Sequence, residues 1–193
     1  MAKLTNLIRG TRNRQCTIRQ ATTGESVRIS VYFDGTANNR TNVKEGYEKR
    51  ADKKGTGTSL YSGSYANDYS NISRLEEQQG KHEGYDFSLK LYVEGIGTRD
   101  GGSDSPLGKA TGNDGLTGVK SKVESAIKHV LKAIEAEVYS RRISHVHLDA
   151  FGFSRGAAAA RYFVYKMMRE SGKTLLERLT KGVEAFAWIY CGL

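Results

Sequence analysis

Apolar positions along the chain recur with two periods, one typical of strands and one typical of helices. Strands are predicted where short apolar or alternating runs end at turn residues, over residues 27–33, 86–94, 143–151 and 183–191. Helices are predicted where apolar side chains recur three and four residues apart, over residues 71–79, 119–138, 157–170 and 175–179. Because strands and helices alternate, the pattern predicts an α/β domain with a mostly parallel sheet and flanking helices.

Three segments fall outside this pattern. Residues 1–25 are polar and basic and are expected to be peripheral to the domain. Residues 37–69 are rich in Asn, Gly, Lys, Ser and Tyr, so they are expected to form a long surface loop and the least ordered internal segment. Residues 95–118 contain eight glycines and the only proline, Pro106, which predicts a glycine-rich loop after the second strand.

Composition and charge narrow the classes of protein to consider. Apolar residues make up 38% and charged residues 26% of the chain, which excludes a wholly disordered protein. No run approaches the roughly 18 apolar residues of a membrane-spanning helix, and no signal peptide is recognised, so synthesis in the cytoplasm is expected. The net charge of +9 is typical either of contact with polyanions, namely nucleic acid, phosphorylated substrates or an anionic membrane surface, or of a merely basic surface. The basic residues are scattered, which argues against nucleic acid as a partner.

Neither a metal nor a cofactor is predicted from the cysteines and histidines. Cys16 and Cys191 cannot form a disulfide framework or a four-cysteine zinc site. His145 and His147 lie two residues apart, and therefore on one face of a predicted strand. They form either a metal pair or two partly buried strand histidines, and the second arrangement is the commoner one.

Three segments directly follow predicted strands: residues 34–36, the glycine-rich loop that begins at Gly95, and residues 152–156. In a parallel sheet the carboxyl ends of the strands lie at one edge, and active sites form there. We therefore expect these three segments to converge.

Residues 152–156, Gly-Phe-Ser-Arg-Gly, match the G-x-S-x-G pattern of a nucleophile elbow. The match stands between a predicted strand and a predicted alanine-rich helix, which is the setting that an elbow requires. Gly152 and Gly156 would let strand, turn and helix pack closely around a strained Ser154. The N–H of Arg155 would then be one oxyanion donor. The alternative is a glycine-rich turn in which Ser154 only caps the helix.

Four segments in this order resemble the motifs of one protein family. Residues 33–39 resemble its FDGT-x-N motif, residues 71–75 its NVARL-like segment, residues 92–98 its Y-x-x-G-[IV]-G-T strand end, and residues 151–157 its GFSRGA elbow. This is the α/β-hydrolase family that includes the phospholipase effectors of type VI secretion. The resemblance implies an α/β-hydrolase core, a Ser-Asp-His triad and hydrolysis of ester bonds, often in phospholipids.

The resemblance also implies roles for single residues. Ser154 matches the nucleophile, and Asp34, Gly35 and Thr36 match the loop that faces it and supplies the second oxyanion donor. Taken by itself, Asp34 is equally consistent with the simple capping of a turn.

A further loop near the site is implied by the third motif. Gly95, Gly97 and Thr98 match it. The residues themselves also fit a tight turn, for which Gly97 would supply a positive φ.

One feature departs from the family pattern. Hydrolases of this type order their triad Ser…Asp…His, yet all four histidines precede Ser154. The family's acid follows the strand after the elbow helix, and here only two residues follow residues 183–191. The chain is therefore expected to be an N-terminal fragment, with residues 26–193 forming a partial α/β-hydrolase domain truncated at its C-terminus, and to hydrolyse esters poorly by itself.

Three functions remain open. The first is a serine lipase or phospholipase of the secreted effector type, with a phospholipid or other ester as substrate and, by resemblance, a type VI secretion route and an immunity or secretion partner. The second is an inactive fragment, or a module that needs a second chain to complete its site. The third is phosphate binding by the glycine-rich residues 95–118, which lack the G-x-x-x-x-G-K-[ST] pattern of nucleotide hydrolases.

Overall fold

The computed structural model describes residues 24–52, 62–80, 83–111, 115, 117–138 and 143–167. The strands pair in parallel in the order β2-β1-β3, so β1 is central within the described part. With helices between the strands this is an α/β fold, as the sequence predicts. The elements in chain order are β1 (Glu25–Phe33), α1 (Arg40–Ala51), a 3-10 turn (Gly63–Tyr65), α2 (Asn71–Gln78), β2 (Phe87–Val93), α3 (Pro106–Thr111), α4 (Val119–Val138), β3 (Ile143–Gly152) and α5 (Arg155–Tyr165).

Most predicted elements that fall on described residues are found with small shifts at their ends. α4 spans the predicted residues, and β1 begins two residues earlier than predicted, at Glu25. α2 is present, but only Ile72 of its two expected apolar side chains is buried, whereas Leu75 is 45% exposed. The predicted elements at residues 175–179 and 183–191 lie outside the described residues, as does most of the basic segment 1–25. None of the described helices is long and apolar enough to cross a bilayer.

Alternate residues of β1 separate an apolar face of the sheet from a polar one. The apolar face packs against α4 and α5 and forms the core. The buried side chains that meet there are Val27, Ile29, Val31 and Phe33 of β1, Leu148 and Ala150 of β3, Val123, Val130 and Ile134 of α4, and Ala159, Ala160 and Phe163 of α5.

The opposite face of the sheet is held by ion pairs and hydrogen bonds. Arg28 and Ser30 of β1 stand beside His147 and Asp149 of β3. The buried Asp149 carboxylate accepts from Arg28 Nε at 2.8 Å and from Ser30 Oγ at 3.1 Å, and its other oxygen lies 3.2 Å from His147 Nε2. Burial raises the pKa of Asp149, but the hydrogen bonds from His147 and Arg28 outweigh it and hold the pKa below its ordinary value.

The prediction of a long surface loop at residues 37–69 is wrong for residues 40–51, which form α1, while residues 53–61 lie outside the described ones. The inner face of α1 is polar or small: Asn42 and Gly46 are buried beside the single apolar residue Val43. Periodicity of apolar side chains therefore gives no signal for this helix. The helix is stabilised by its N-cap, since the Asn39 side chain accepts the Asn42 N–H at 3.0 Å.

The glycine-rich stretch also contains an element that the sequence did not predict. α3 begins at Pro106, a residue whose fixed φ and missing N–H suit the first turn of a helix. Gly108 allows this helix to approach the loop before it, because a Cβ there would lie 3.1 Å from Gly97 Cα and 2.4 Å from Thr117 Oγ1. The expected glycine-rich loop is therefore a folded segment packed on the carboxyl end of β2.

Candidate functional site

Backbone hydrogen bonds join the three segments that follow the strands at one edge of the sheet. The N–H of Asp34 donates to Val93 O at 2.9 Å, and the N–H of Gly95 donates to Asn38 O at 2.8 Å. On the other side of β1, the N–H of Phe153 donates to Phe33 O at 3.3 Å. The loop at 34–39 therefore lies between the loop at 95–98 and the elbow at 152–156, which is the convergence that the sequence predicts.

Ser154 occupies the turn between β3 and α5 in a backbone conformation that side chains rarely adopt. Its φ is 55° and its ψ is −127°. Such strain at a single non-glycine residue is typical of functional sites. The residue is exposed, and its side chain makes no capping hydrogen bond to α5. The interpretation of Ser154 as a simple helix cap is therefore wrong.

The two glycines of the elbow are required by close approach of backbone to backbone. A Cβ at Gly156 would lie 2.4 Å from both Phe33 O and Asp34 O, at the end of β1. A Cβ at Gly152 would lie 2.4 Å from Gly156 O. Real Cβ atoms do not come this close to backbone oxygen, so each position accepts only glycine without a shift of strand or helix. The glycines seat the start of α5 directly on the loop at 34–39.

The Asp34 carboxylate organises the loop that faces the elbow. It is buried and accepts four hydrogen bonds. One oxygen accepts from the N–H of Gly35 at 2.7 Å and from the side chain of Asn38 at 3.3 Å. The other accepts from the hydroxyls of Ser70 at 2.5 Å and Tyr92 at 2.7 Å. Asp34 therefore does cap a turn, and it also ties the turn to α2 and β2.

Tyr92 and Ser70 are residues of this network that sequence reasoning assigned no role. Ser70 is the N-cap of α2, so its hydroxyl accepts the Ser73 N–H while it donates to Asp34. Burial and the neighbouring Asp34 charge raise the pKa of Tyr92 far above its ordinary value. The serine directly before a predicted helix is the signal that would have identified Ser70 as a cap, but nothing local links it to Asp34.

The loop at 95–98 is positioned by three different devices. Gly95 is needed for close approach, since a Cβ there would lie 1.9 Å from Gly35 O. Gly97 has a φ of 84°, which agrees with the tight turn considered from sequence. Thr98 is buried, donates to Gly95 O at 2.8 Å and accepts from the side chain of Asn39 at 3.3 Å. All three residues thus shape the loop beside the site rather than the elbow itself.

A buried lysine that sequence analysis missed also holds this loop. Lys122, near the start of α4, is 5% exposed, and its ammonium group donates to Thr98 O at 2.8 Å and pairs with Glu94. Only its position in a helix with apolar periodicity could have indicated burial, and lysine at such a position is ordinarily interpreted as exposed.

The amide groups near Ser154 differ in whether they are already bonded. The N–H of Asp34 donates to Val93 O, and the N–H of Gly35 donates to the Asp34 carboxylate. Within the described residues the N–H of Thr36 has no hydrogen-bond partner. The Arg155 guanidinium reaches the same residue, with Nε 2.7 Å from Thr36 Oγ1. Of the first three residues of the loop, Thr36 is thus the one whose N–H has no hydrogen-bond partner among the described residues.

No hydrogen bond joins Ser154 to a histidine side chain among the described residues. His129 is exposed on α4. His147 is five residues before Gly152 on β3, about 16 Å away at the rise of a strand, and its Nδ1 lies 2.6 Å from the Tyr85 hydroxyl. His147 is thus a partly buried strand histidine; for His145 only the backbone position on β3 is described. Within the described residues no group of three metal-binding side chains occurs.

The glycine-rich stretch does not present an open set of amides to a phosphate. The N–H groups of Gly97 and Gly102 donate to Thr117 O and Arg99 O. The N–H of Gly101 donates to Asn42 Oδ1 at 2.9 Å, and that of Gly108 to Ser105 Oγ at 3.0 Å. Because these four donors are used within the protein, they are not open to a phosphate, and the described glycines give the phosphate-binding alternative no support.

Among solved structures, the chain is similar to an effector of a secretion system. The chain is similar to the Tle1 effector in the structure of that effector bound to the VgrG spike from the type 6 secretion system, with 23% sequence identity and a TM-score of 0.49. The match covers 86% of this chain and 36% of that chain, so this chain spans about a third of the neighbour's length. No family model and no curated protein matches the chain.

Proposed function

We propose that the chain carries the nucleophile and the oxyanion donors of a serine ester hydrolase, with Ser154 as the nucleophile. The observation that carries this proposal is the backbone conformation of Ser154, with φ 55° and ψ −127° on a strand-to-helix turn. Its side chain is exposed and does not cap α5. That combination is the geometry of a nucleophile elbow, in which strain holds the hydroxyl at the helix N-terminus.

In the proposed reaction, Ser154 Oγ attacks the carbonyl carbon of an ester, and its proton passes to a base. The developing oxyanion is stabilised by the N–H of Arg155 and the N–H of Thr36, because the other two amides at the start of the loop are already bonded. The alcohol leaves, and water then hydrolyses the acyl-serine. Asp34 contributes by holding the loop that presents Thr36.

The described residues do not supply the base and the acid of the proposed triad. His147 is held by Tyr85 and Asp149 on the polar face, and His129 lies exposed on α4. We propose that the triad is completed by residues outside the described ones or by a second chain. The inactive fragment, or a module completed by a partner, remains the alternative function.

For the substrate we propose a lipid ester, with phospholipid at an anionic membrane surface as the first candidate. The net charge of +9 favours such a surface. Phe153, directly before the nucleophile, is 58% exposed although it is a large apolar side chain, so it can contact an acyl chain. The resemblance of the four motifs to type VI effectors adds secretion by that route and a secretion or immunity partner to the proposal.

The test measures hydrolysis of 4-nitrophenyl butyrate and covalent labelling by a fluorophosphonate, with the labelled peptide identified by mass spectrometry. The expected result is a label on Ser154 and an activity that falls in Ser154→Ala to the background left by the oxyanion hole alone, on the order of 10³–10⁴ over the reaction in water. Without a positioned base, the wild-type rate should lie above this background but well below that of a complete triad. The matched control is Ser125→Ala, an exposed serine on α4, which should keep both signals.

Two results would contradict the proposal. Hydrolysis by Ser154→Ala at the wild-type rate would exclude Ser154 as the nucleophile, and so would a fluorophosphonate label on another serine. A wild-type turnover in the usual enzyme range of about 1–10³ per second would instead show that the base lies within the 193 residues, and alanine substitution of each histidine would identify it.

A further inference from the structure

We infer that the side chain of Arg155 is a positioning residue for the oxyanion donor of Thr36; this inference rests on the function proposed above. Arg155 Nε donates a 2.7 Å hydrogen bond to Thr36 Oγ1 across 119 residues of sequence. The bond joins the first residue of α5 to the loop after β1, and so connects the two segments that would each supply one oxyanion donor.

The loop needs such a connection at Thr36 and not at its neighbours. On one side, the N–H of Gly35 is fixed by the Asp34 carboxylate at 2.7 Å. On the other side, the N–H of Ala37 is fixed by Ile96 O at 3.0 Å. Between these two fixed amides, the N–H of Thr36 has no partner within the described residues. The Arg155 hydrogen bond is therefore the side-chain contact that restrains this peptide group.

Threonine is suited to transmit the restraint from side chain to backbone. Its branched Cβ leaves few χ1 rotamers, so a hydrogen bond that fixes Oγ1 also restricts the orientation of its own backbone. The direction of the Thr36 N–H is set in this way. Since an oxyanion donor works only when it points at the developing charge, a displacement of about 1 Å reduces the rate by on the order of a hundredfold.

The arrangement makes one residue responsible for both donors. The backbone N–H of Arg155 supplies one of them, and its side chain sets the position of the other. The position of the second donor relative to the first then depends on the hydrogen bond from Arg155 Nε to Thr36 Oγ1.

The experiment uses two variants that break the bond without altering the nucleophile. Arg155→Met keeps the packing of the long side chain but removes the donor, and Thr36→Val keeps the shape but removes the acceptor. Each should lower kcat for 4-nitrophenyl butyrate by about 10- to 100-fold with KM changed by less than about twofold, because the lost interaction belongs to the transition state. The double variant should be no slower than the slower single one, since both remove the same bond.

Thr36→Ser supplies the rescue, because it restores the hydroxyl acceptor; its kcat should exceed that of Thr36→Val several-fold. Amide hydrogen exchange of the full chain gives a readout that needs no turnover: exchange across residues 35–37 should accelerate in Arg155→Met and Thr36→Val and much less in Thr36→Ser.

The outcomes separate this inference from the proposed function. If kcat fell in Arg155→Met but stayed at the wild-type value in Thr36→Val, the charge of Arg155 would matter and the hydrogen bond would not. That result would overturn the inference. Equal exchange in all variants would overturn it as well, whether or not the protein hydrolyses esters. Hydrolysis by Ser154→Ala at the wild-type rate would overturn the proposed function instead, while the exchange data would still decide the role of the bond.

Discussion

The elbow at 152–156 and the loop at 34–39 lie against each other at the same edge of the sheet, but different contacts hold them. The elbow is seated by backbone on backbone: the missing side chains of Gly152 and Gly156 let α5 approach the end of β1. The loop shares backbone hydrogen bonds with β2 and the loop at 95–98, and in addition polar side chains hold it, above all through the four hydrogen bonds that Asp34 accepts.

This difference shows how two halves of one site depend on different chemistry. A segment fixed by close approach is sensitive to added volume, because backbone atoms cannot move aside. A segment fixed by buried polar groups is sensitive to the loss of one donor or acceptor, because the remaining group stays unsatisfied. Four substitutions, from the largest expected effect to the smallest, test whether the two segments differ in this way.

Gly156→Val should have the largest effect. Its Cβ would lie 2.4 Å from two backbone oxygens, so strand and helix must separate, and we expect a loss of about 3 kcal/mol or more in the free energy of unfolding. Urea denaturation followed by circular dichroism measures it. The control is Gly80→Ala, where an added Cβ meets nothing within 4 Å. Similar losses in the two variants would show that close approach does not hold the elbow.

Asp34→Asn should have the next largest effect. When an NH₂ group replaces the oxygen that faces Ser70 and Tyr92, the hydroxyls of these two residues lose their acceptor. We therefore expect the free energy of unfolding to fall by about 1–3 kcal/mol. The same denaturation experiment applies. Asp68→Asn is the control, because that carboxylate is 67% exposed in its side chain and should change stability by less than about 0.5 kcal/mol. An unchanged stability for Asp34→Asn would mean that polar contacts do not hold the loop.

Tyr92→Phe tests the polar contacts of the loop through the pH dependence of stability. Because burial and the Asp34 charge raise the pKa of folded Tyr92, the unfolded chain loses that proton near pH 10 while the folded chain keeps it. The contribution of Tyr92 to the free energy of unfolding is therefore fully present below about pH 10 and is lost as the pH rises above that value, by up to about 1.4 kcal/mol per pH unit.

The expected result is a shallower decline of stability between about pH 10 and 11 in Tyr92→Phe than in the wild type. Tyr32, whose pKa burial raises to about 12, should leave a residual slope. Tyr47→Phe, at an exposed position, should retain the wild-type decline. If Tyr92→Phe declines as steeply as the wild type, Tyr92 does not titrate as a buried member of the loop network.

Ala37→Gly should have the smallest effect and the opposite sign. Ala37 has a φ of 64°, a conformation that costs a residue with a Cβ about 1–2 kcal/mol in the folded state. Glycine removes this cost, but its greater freedom in the unfolded chain lowers stability by about 0.4–1 kcal/mol. We therefore expect a net stabilisation of about 0.5 kcal/mol. Ala66→Gly, at a φ of −93°, should instead lose stability. A loss in both variants would show that the loop stores no strain at Ala37.

The strands, α4 and the elbow could be predicted from sequence because the forces that hold them leave local traces. Apolar alternation marks β1, and close approach requires glycine at both ends of residues 152–156. α1 could not be predicted, because its buried face consists of asparagine, glycine and one valine. Its partners are polar groups distant in sequence, and no periodicity of apolar side chains results.

For the candidate site, the positions of Asp34, Gly35 and Thr36 followed from the rule that strand ends meet at one edge. Their individual tasks did not. Among the described residues the N–H of Gly35 has a partner and that of Thr36 has none, and this difference depends on the orientation of the Asp34 carboxylate. The Lys122 contact with Thr98 likewise depends on a three-dimensional approach of α4 that residue spacing does not encode.

The polar inner face of α1 also has a consequence for the order of folding. Asn42 bonds to the hydroxyl of Ser64, to Arg99 O and to the N–H of Gly101, across 22, 57 and 59 residues of sequence. A helix of 12 residues with so little apolar surface has no apolar nucleus of its own, and two of these contacts, with Arg99 and Gly101, involve residues that follow β2 in the chain. α1 should therefore form after the transition state, so that Asn42→Ala accelerates unfolding and leaves the folding rate nearly unchanged.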